Sequence, residues 1–246
     1  MKKIVLLMLI AAFSIAGEIK VAAAANTTYA FDELLAKFKE LRPDIKVDVS
    51  LGASGAFATQ IRNGAPFDIF MAADMAFAQG LYEDGNAVLP AVIYAKGKLA
   101  IFTIRNFDLS KGLELLKDSN IKTISIANPN VAPYGAATVQ AFKNAEIYDE
   151  IEGKIVQAKS IGEALSQAMS ASDVGFVAAS AIYSPKMSKY KEGQNYAFVD
   201  SSLYSPIEQG IVILKKAKDS ADAKAFYDFI LSDDAKSIFK KFGYEF

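Results

Sequence analysis

Two hydrophobic periods alternate along this chain, and their alternation limits the fold more than any other feature. Apolar runs of strand length are separated by segments in which apolar residues recur at every third or fourth position. In the first such segment Phe31, Leu34 and Phe38 keep this spacing until Pro43 ends it. The pattern predicts strands at 18–23, 45–50, 68–72, 99–104, 122–127, 154–158, 174–178, 196–199 and 210–214, and helices at 55–63, 75–84, 111–117, 135–144, 162–171 and 219–242. It indicates an α/β fold of mainly parallel sheets flanked by helices.

The beginning of the chain has the pattern of a secretory signal peptide. Two lysines precede an apolar run from Ile4 to Phe13, and small residues follow up to Gly17. This run is shorter than the ~20 residues that a membrane-spanning helix needs. We therefore expect residues 1–17 to be removed during secretion.

The composition narrows the class of protein. The chain has no cysteine, which excludes a disulfide scaffold, a thiolate metal site and a lipid-modified cysteine anchor. We therefore expect a freely diffusing monomer in the periplasm of a two-membrane bacterium and not a lipoprotein. The net charge is −1 and no dense basic run is present, so nucleic acid is not an expected partner.

The chain lacks a flexible linker but offers two places for a hinge. Around 94–99 and again around 205–210 a polar or turn-like stretch leads into an apolar strand. A chain that crosses twice between two lobes gives a discontinuous lobe and a cleft that closes like a clamp. We expect lobe I to comprise 18–95 plus 210–246 and lobe II to comprise 96–209.

Residues for catalysis are scarce. The chain has no histidine, cysteine or tryptophan, and it has no nucleophile elbow, Walker loop or dinucleotide fingerprint. Acidic clusters at 149–152 and 233–234 lie in polar, turn-like surroundings typical of solvated helix ends. We therefore predict a binding protein and not an enzyme, with no resident cofactor.

Four predicted helix starts follow strands and point to an anion site. Asn26, Ser54, Tyr134 and Ile161 each lie at such a start, where backbone N–H groups lack helical acceptors. Ligands of open α/β sheets gather beyond the carboxyl ends of the strands, facing these N–H groups and the positive ends of the helix dipoles. None of the chain's three arginines falls in these loops, so a cage of neutral donors is the expected way to hold an anion.

At these loops the chain resembles the ModA family of periplasmic molybdate-binding proteins of ABC importers. The resemblance covers essentially the whole mature chain and rests on I-K-V-A-A-A-A-N at 19–26, G-A-S at 52–54, G-A-P-x-D-I-F-x-A-A-D at 64–74, P-Y-G at 133–135 and A-F-Y-D-F at 225–229. It implies a two-lobed type II periplasmic binding fold with two hinge crossovers. It also implies a membrane permease and its ATPase as partners.

The resemblance further assigns the ligand and the donors. It implies that molybdate or tungstate binds between the lobes as an oxyanion, with no direct metal ligands from the protein. By this resemblance, Asn26 donates hydrogen bonds to the anion from its side-chain amide and its backbone N–H, and Ser54 donates from its hydroxyl and its backbone N–H. Tyr134 and Ile161 give backbone N–H groups only, so their side chains should be replaceable. The chain departs from the family where many members carry a hydroxyl-donating Tyr, because Ala178 occupies that position.

Other functions stay open at this point. A receptor for a sulfate-like anion would use the same donors, while a sugar site would favour stacked aromatic rings that include Trp, and an amino acid site needs an acid and a base. A ferric-ion receptor would want clustered Tyr oxygens. A secreted metal-assisted hydrolase built on the acidic residues is the alternative from a different class.

Overall fold

A computed structural model describes residues 17–246 of the protein. The predicted signal peptide therefore lies, apart from its last residue, outside the described residues. The described strands are β1 (Gly17–Ala24), β2 (Ile45–Gly52), β3 (Ile69–Met71), β4 (Val92–Gly97), β5 (Leu99–Phe102), β6 (Ile124–Ala127), β7 (Ile155–Ala158), β8 (Val174–Ala178), β9 (Tyr196–Phe198) and β10 (Ile207–Ile213). The described α-helices are α1 (Thr28–Leu41), α2 (Ser54–Arg62), α3 (Met75–Glu83), α4 (Pro133–Asn144), α5 (Tyr148–Ile151), α6 (Ile161–Ala168), α7 (Ala179–Ile182), α8 (Ala221–Leu231) and α9 (Asp233–Lys241).

These strands form two five-stranded sheets. The first has the order β2-β1-β3-β10-β4 and the second the order β7-β6-β8-β5-β9. In the first sheet β1 is parallel to β2 and β3, whereas β10 is antiparallel to β3 and β4. In the second, β6 is parallel to β7 and β8, whereas β5 is antiparallel to β8 and β9. The predicted α/β two-lobed class is confirmed, but each sheet is mixed rather than mainly parallel.

The antiparallel strands in each sheet are those next to the crossovers. The chain leaves the first sheet at the end of β4, enters the second with β5, and returns between β9 and β10. The predicted lobe boundaries, at 95/96 and 209/210, fall inside β4 and β10. A division that keeps these strands whole lies a few residues away, at 98 and at 199–206, and the division into lobes itself stays a prediction.

Several elements differ from the sequence prediction, and the short helices α5 and α7 are among those that it missed. Strand β4 was not predicted, because its short apolar run V-I-Y-A leads into the polar residues Lys96 and Lys98, and the sequence indicated a hinge around 94–99. The helix predicted at 219–242 is interrupted at Ser232, whose extended ψ of 163° ends α8 while its hydroxyl accepts a bond from the Ala235 N–H and caps α9. The segment at 109–117 is a 3-10 helix kinked at Gly112, where φ is +55°.

The two faces of each sheet are covered by separate apolar clusters. In the first sheet Phe38 of α1 packs edge-on against Phe226 of α8 with ring centroids 5.0 Å apart. In the second, Phe142 of α4 packs edge-on against Phe176 of β8 at 4.8 Å. Close-packed interiors of this kind are stiff, so each sheet holds the loops beyond its strands in fixed positions. Within residues 17–246, no helix is long and apolar enough to cross a membrane.

Candidate functional site

A small cavity lies where the carboxyl ends of the parallel strands of both sheets meet. About 200 Å³ of space free of atoms lies there, part of it open to solvent. Its lining residues are Ala24, Ala25, Asn26, Gly52, Ala53, Ser54, Ala73, Ala132, Pro133, Tyr134 and Ile161. The structure therefore brings together all four residues predicted from the helix starts, two from each side of the crossovers. None of the lining residues carries a charged side chain.

The backbone N–H groups at these four positions belong to first helical turns. Ser54 and Ile161 are the first residues of α2 and α6, and Tyr134 is the second residue of α4. Asn26 is the second residue of a 3-10 turn, 25–27, that continues directly into α1. First-turn amides have no acceptor within their own helix. Elsewhere in residues 17–246 these four N–H groups have no hydrogen-bond acceptor either, so they can donate to a ligand.

The hydroxyl of Ser54 is oriented by the protein. Its oxygen accepts a hydrogen bond of 2.9 Å from the backbone N–H of Ala73, which also lines the cavity. A hydroxyl that accepts in this way keeps one proton to donate. No acceptor for that proton is found among the described residues, so Ser54 offers two donors, its O–H and its N–H.

The side chain of Asn26 is placed differently from the prediction. Its Nδ2 donates to Oε1 of Gln209 and to the hydroxyl of Tyr244, at 2.8 Å each. Both N–H bonds of the amide are therefore used inside the protein. Its Oδ1 is buried and has no partner among the described residues. In this arrangement the predicted donation from the Asn26 side chain into the cavity is not available.

The side chain of Tyr134 is part of the same buried cluster. Its hydroxyl accepts a bond of 3.3 Å from Nε2 of Gln209 and fills the space where a Cβ on Gly97 would lie. Only 2% of Tyr134 is exposed, so its side chain is part of the packing, and its replaceability for anion binding stays a prediction. The replaceability of the Ile161 side chain stays a prediction.

Tyr94 and Tyr134 contact Gln209, Tyr244 contacts Asn26, and all three tyrosines remain neutral. Burial raises the pKa of Tyr94 and Tyr134 well above its ordinary value, and it raises the pKa of Tyr244 as well. The hydroxyl of Tyr94 donates to Oε1 of Gln209 at 2.7 Å, and that of Tyr244 donates to the carbonyl oxygen of Asn26 at 2.9 Å. The cluster is thus a network of uncharged groups behind the cavity.

Ala178, where a Tyr hydroxyl was expected in many relatives, lies at the end of β8 away from the cavity lining. A hydroxyl nearby is supplied by Ser180, which donates to the carbonyl oxygen of Asn26 at 2.7 Å. Ser180 therefore supports the loop of Asn26 from the other side of the cavity. Sequence reasoning missed Ser180 together with Gln209, Tyr94 and Tyr244.

The two sides of the cavity touch at Gly55. Its backbone N–H donates to the carbonyl oxygen of Val131 at 2.8 Å, which joins α2 to the loop before α4. A Cβ on Gly55 would lie 2.9 Å from the Cα of Val131 and 2.8 Å from the ring of Phe77, which is closer than ordinary contact. Glycine at this position allows the close approach.

A larger cavity, of about 1030 Å³, lies at the crossovers. It is lined by charged residues that are already paired, Lys96 with Glu208 at 3.2 Å and Lys98 with Glu245 at 2.6 Å. Because no α-helix begins there, size alone does not make it the better candidate. Across residues 17–246, no three His, Cys, Asp or Glu side chains are grouped in a way that could hold a metal ion.

Comparisons with known proteins agree on one family. The family model described as bacterial extracellular solute-binding protein matches residues 19–245. The molybdate-binding protein ModA of Azotobacter vinelandii is 37% identical over 238 residues, which covers 96% of this chain and 93% of that protein. ModA of Rhodobacter capsulatus is 37% identical over 93% of this chain and 88% of its own length. The solved structure of the Azotobacter vinelandii periplasmic molybdate-binding protein superimposes with a TM-score of 0.85 at 31% identity, covering 93% of this chain and 99% of that one.

Proposed function

Because the chain belongs to the bacterial extracellular solute-binding proteins, and among them to the ModA molybdate-binding proteins, we propose that it captures molybdate or tungstate for an ABC importer. The anion binds in the cavity between the two sheets, to Asn26, Ser54, Tyr134 and Ile161. The protein performs no chemical reaction on it. A membrane permease and its ATPase take up the anion from the loaded protein.

One observation carries this proposal: four helix starts from both sides of the crossovers converge on a cavity without any charged side chain. Hydrogen bonds to a charged partner contribute roughly 1.5–3 kcal/mol each. About five such bonds, from four N–H groups and the Ser54 hydroxyl, exceed the entropic costs of binding and reach nanomolar affinity. A neutral cage of donors therefore suffices for a small dianion.

The same donors give selectivity. A site that only donates rejects protonated phosphate, whose hydroxyl needs an acceptor, because an unmatched buried polar contact is costly. Sulfate matches the donor pattern but is smaller than molybdate, so it leaves the hydrogen bonds too long. A receptor for a sulfate-like anion is the alternative that the titration below separates from this proposal.

We further infer how the protein works in its compartment. The leader is removed, and the mature chain diffuses through the periplasm as a monomer without a lipid anchor. The anion first binds to one open lobe, and rotation about the crossovers at 98 and 199–206 brings in the N–H groups of the other lobe. Closure excludes water, and the closed form is what the permease recognises.

The test is a titration of the purified mature protein with molybdate, tungstate, sulfate and phosphate, followed by calorimetry and by the thermal melting temperature. A ligand that binds only the folded state raises the melting temperature. We expect large increases with molybdate and tungstate and none with phosphate. Tight binding of sulfate would favour the alternative, a receptor for a sulfate-like anion. If none of the four anions bound or raised the melting temperature, the oxyanion proposal would be refuted.

A further inference from the structure

Gln209 lies behind the cavity at the centre of a buried hydrogen-bond network that joins both sides of the crossovers. It belongs to β10 and is fully buried. Its Oε1 accepts from Asn26 and Tyr94, at 2.8 and 2.7 Å, and its Nε2 donates to the hydroxyl of Tyr134 at 3.3 Å. Tyr134 comes from α4, on the opposite side of the cavity from Asn26 and Tyr94. Gln209 is thus the one residue of this network that links the Asn26 amide to α4.

This arrangement leaves three hydrogen-bonding groups unmatched within residues 17–246. Oδ1 of Asn26 accepts nothing, the hydroxyl proton of Tyr134 has no acceptor, and the second N–H of Gln209 has none. Leaving a buried polar group without a partner is costly. The network is therefore not in its best hydrogen-bonded form.

Reversing the two side-chain amides together removes all three defects. A carboxamide has nearly the same shape with its oxygen and nitrogen exchanged, so the packing does not change. In the reversed form Nε2 of Gln209 donates to Oδ1 of Asn26 and to the hydroxyl of Tyr94. Tyr94 then donates to the carbonyl oxygen of Ala72, already 3.3 Å away, and Tyr134 donates to Oε1 of Gln209. Tyr244 turns its single proton from the carbonyl oxygen of Asn26 to Oδ1 of Asn26, 2.8 Å away, and that carbonyl keeps its bond from Ser180.

The reversal has one consequence for the cavity. Nδ2 of Asn26 moves to the corner of the amide that Oδ1 occupies here, away from Gln209 and Tyr244, neither of which lines the cavity. There it needs an acceptor, and an oxyanion provides one. Without the reversal Asn26 presents an unpaired acceptor, which repels the oxygens of an anion.

We propose that Gln209 is a positioning residue that holds the Asn26 amide with Nδ2 toward the bound anion, through a joint reversal of both amides stabilised by Tyr94 and Tyr134. This inference rests on the proposed function. It explains how Asn26 acts as a side-chain donor although both of its N–H bonds are used inside the protein in the present arrangement. It also links closure to donation, because the Tyr134 hydroxyl reaches Gln209 only when α4 lies against the first sheet.

The first arm of the test measures affinity. Gln209→Met keeps the length of the side chain but removes its hydrogen bonds, and Gln157→Met, at an exposed position on β7, is the matched control. We expect Gln209→Met to raise the molybdate Kd by roughly 10- to 100-fold, the factor that one charge-assisted hydrogen bond contributes. The control should bind like the wild type. An unchanged Kd in Gln209→Met would overturn the inference.

The second arm separates positioning from a merely structural role and needs only the wild-type protein. In its molybdate-saturated form, we expect nuclear Overhauser contacts between the Gln209 side-chain N–H protons and the ring of Tyr94. Contacts with the ring of Tyr134 instead would show that the amides are not reversed and would overturn the inference alone. Absence of any molybdate or tungstate binding by the wild type would refute the proposed function and this inference with it.

Discussion

Replacing Gly55 by alanine tests whether the two sides of the cavity must meet closely for the anion to be held. The new Cβ would lie 2.9 Å from the Cα of Val131, and the backbone at that point has no flexible end that can give way. Ordinary contact begins at about 3.4 Å, so the two segments must separate by roughly 0.5 Å. The bond from the Gly55 N–H to the Val131 carbonyl, 2.8 Å long, lengthens with them.

The size of the effect follows from this separation. Charge-assisted bonds of about 2.8 Å would lengthen to about 3.3 Å, beyond their usual range, for the donors of one side. Weakening two such bonds, at Tyr134 and Ile161, and the Gly55 bond costs about 2–4 kcal/mol of binding free energy. The molybdate Kd should therefore rise roughly 30- to 700-fold. The melting temperature without ligand should fall as well, because the same Cβ lies 2.8 Å from the ring of Phe77, which packs in the apolar cluster of the first sheet.

The assay is isothermal titration calorimetry with molybdate at fixed pH and salt. The matched control is Gly153→Ala, in an exposed 3-10 turn where a Cβ meets nothing within 4 Å. It should bind molybdate like the wild type. If Gly55→Ala also binds like the wild type, closure at this contact does not contribute to holding the anion, and the reasoning is refuted.

Two further predictions concern the donors and the buried tyrosines. Ser54→Ala should weaken molybdate binding by about 10- to 100-fold through loss of one hydroxyl donor, and Ser54→Asp should abolish binding through charge repulsion. In calorimetry the exposed control Ser202→Ala should bind like the wild type. Tight binding by Ser54→Asp would place the site elsewhere. Burial raises the pKa of Tyr94, Tyr134 and Tyr244. Above pH ~10 the unfolded chain therefore releases the protons of these tyrosines, while the folded chain keeps them. The free energy of unfolding then falls by about 1.4 kcal/mol per pH unit for each of the three tyrosines. Tyr94→Phe should remove the contribution of one tyrosine from the pH dependence of the free energy of unfolding, measured by urea unfolding between about pH 10 and 11. An unchanged pH dependence would contradict this prediction.

The sequence predicted the elements whose pattern is local. Fully buried strands such as β6 and β8 show as runs of apolar and small residues without any charge, so their positions are confirmed within about two residues. Strand β4 was missed because its apolar run V-I-Y-A was assigned to the hinge around 94–99, where Lys96 and Lys98 follow it. The antiparallel pairing of β10 was also not predicted. The direction of a strand depends on the long connection that returns the chain to its sheet and not on local periodicity.

The candidate site likewise has residues that the sequence predicted and residues that it did not. The four cavity positions were predictable because each is set by a strand followed at once by a helix start, a local pattern. The network behind them was not, because Asn26 and Gln209 are separated by 183 positions and Asn26 and Tyr244 by 218. No local signal marked Gln209, because it stands between Glu208 and Gly210, ahead of the apolar run of strand Ile207–Ile213. A buried polar side chain on a central strand usually has partners that fix it.

The absence of cations from the cavity lining is the feature that makes both binding and release possible. Each helix start carries roughly half a positive charge, so four of them offer about +2 to the proposed dianion. An arginine or lysine would supply the same charge at a cost, since a buried cation loses its hydration whether or not an anion is present. Backbone N–H groups at the open ends of two lobes instead stay hydrated until closure, and their partial charges act at full strength only once water is excluded. With the closure proposed above, affinity would be concentrated in the closed form, and a transporter that pulled the lobes apart by a few tenths of an ångström per hydrogen bond would weaken every donor at once.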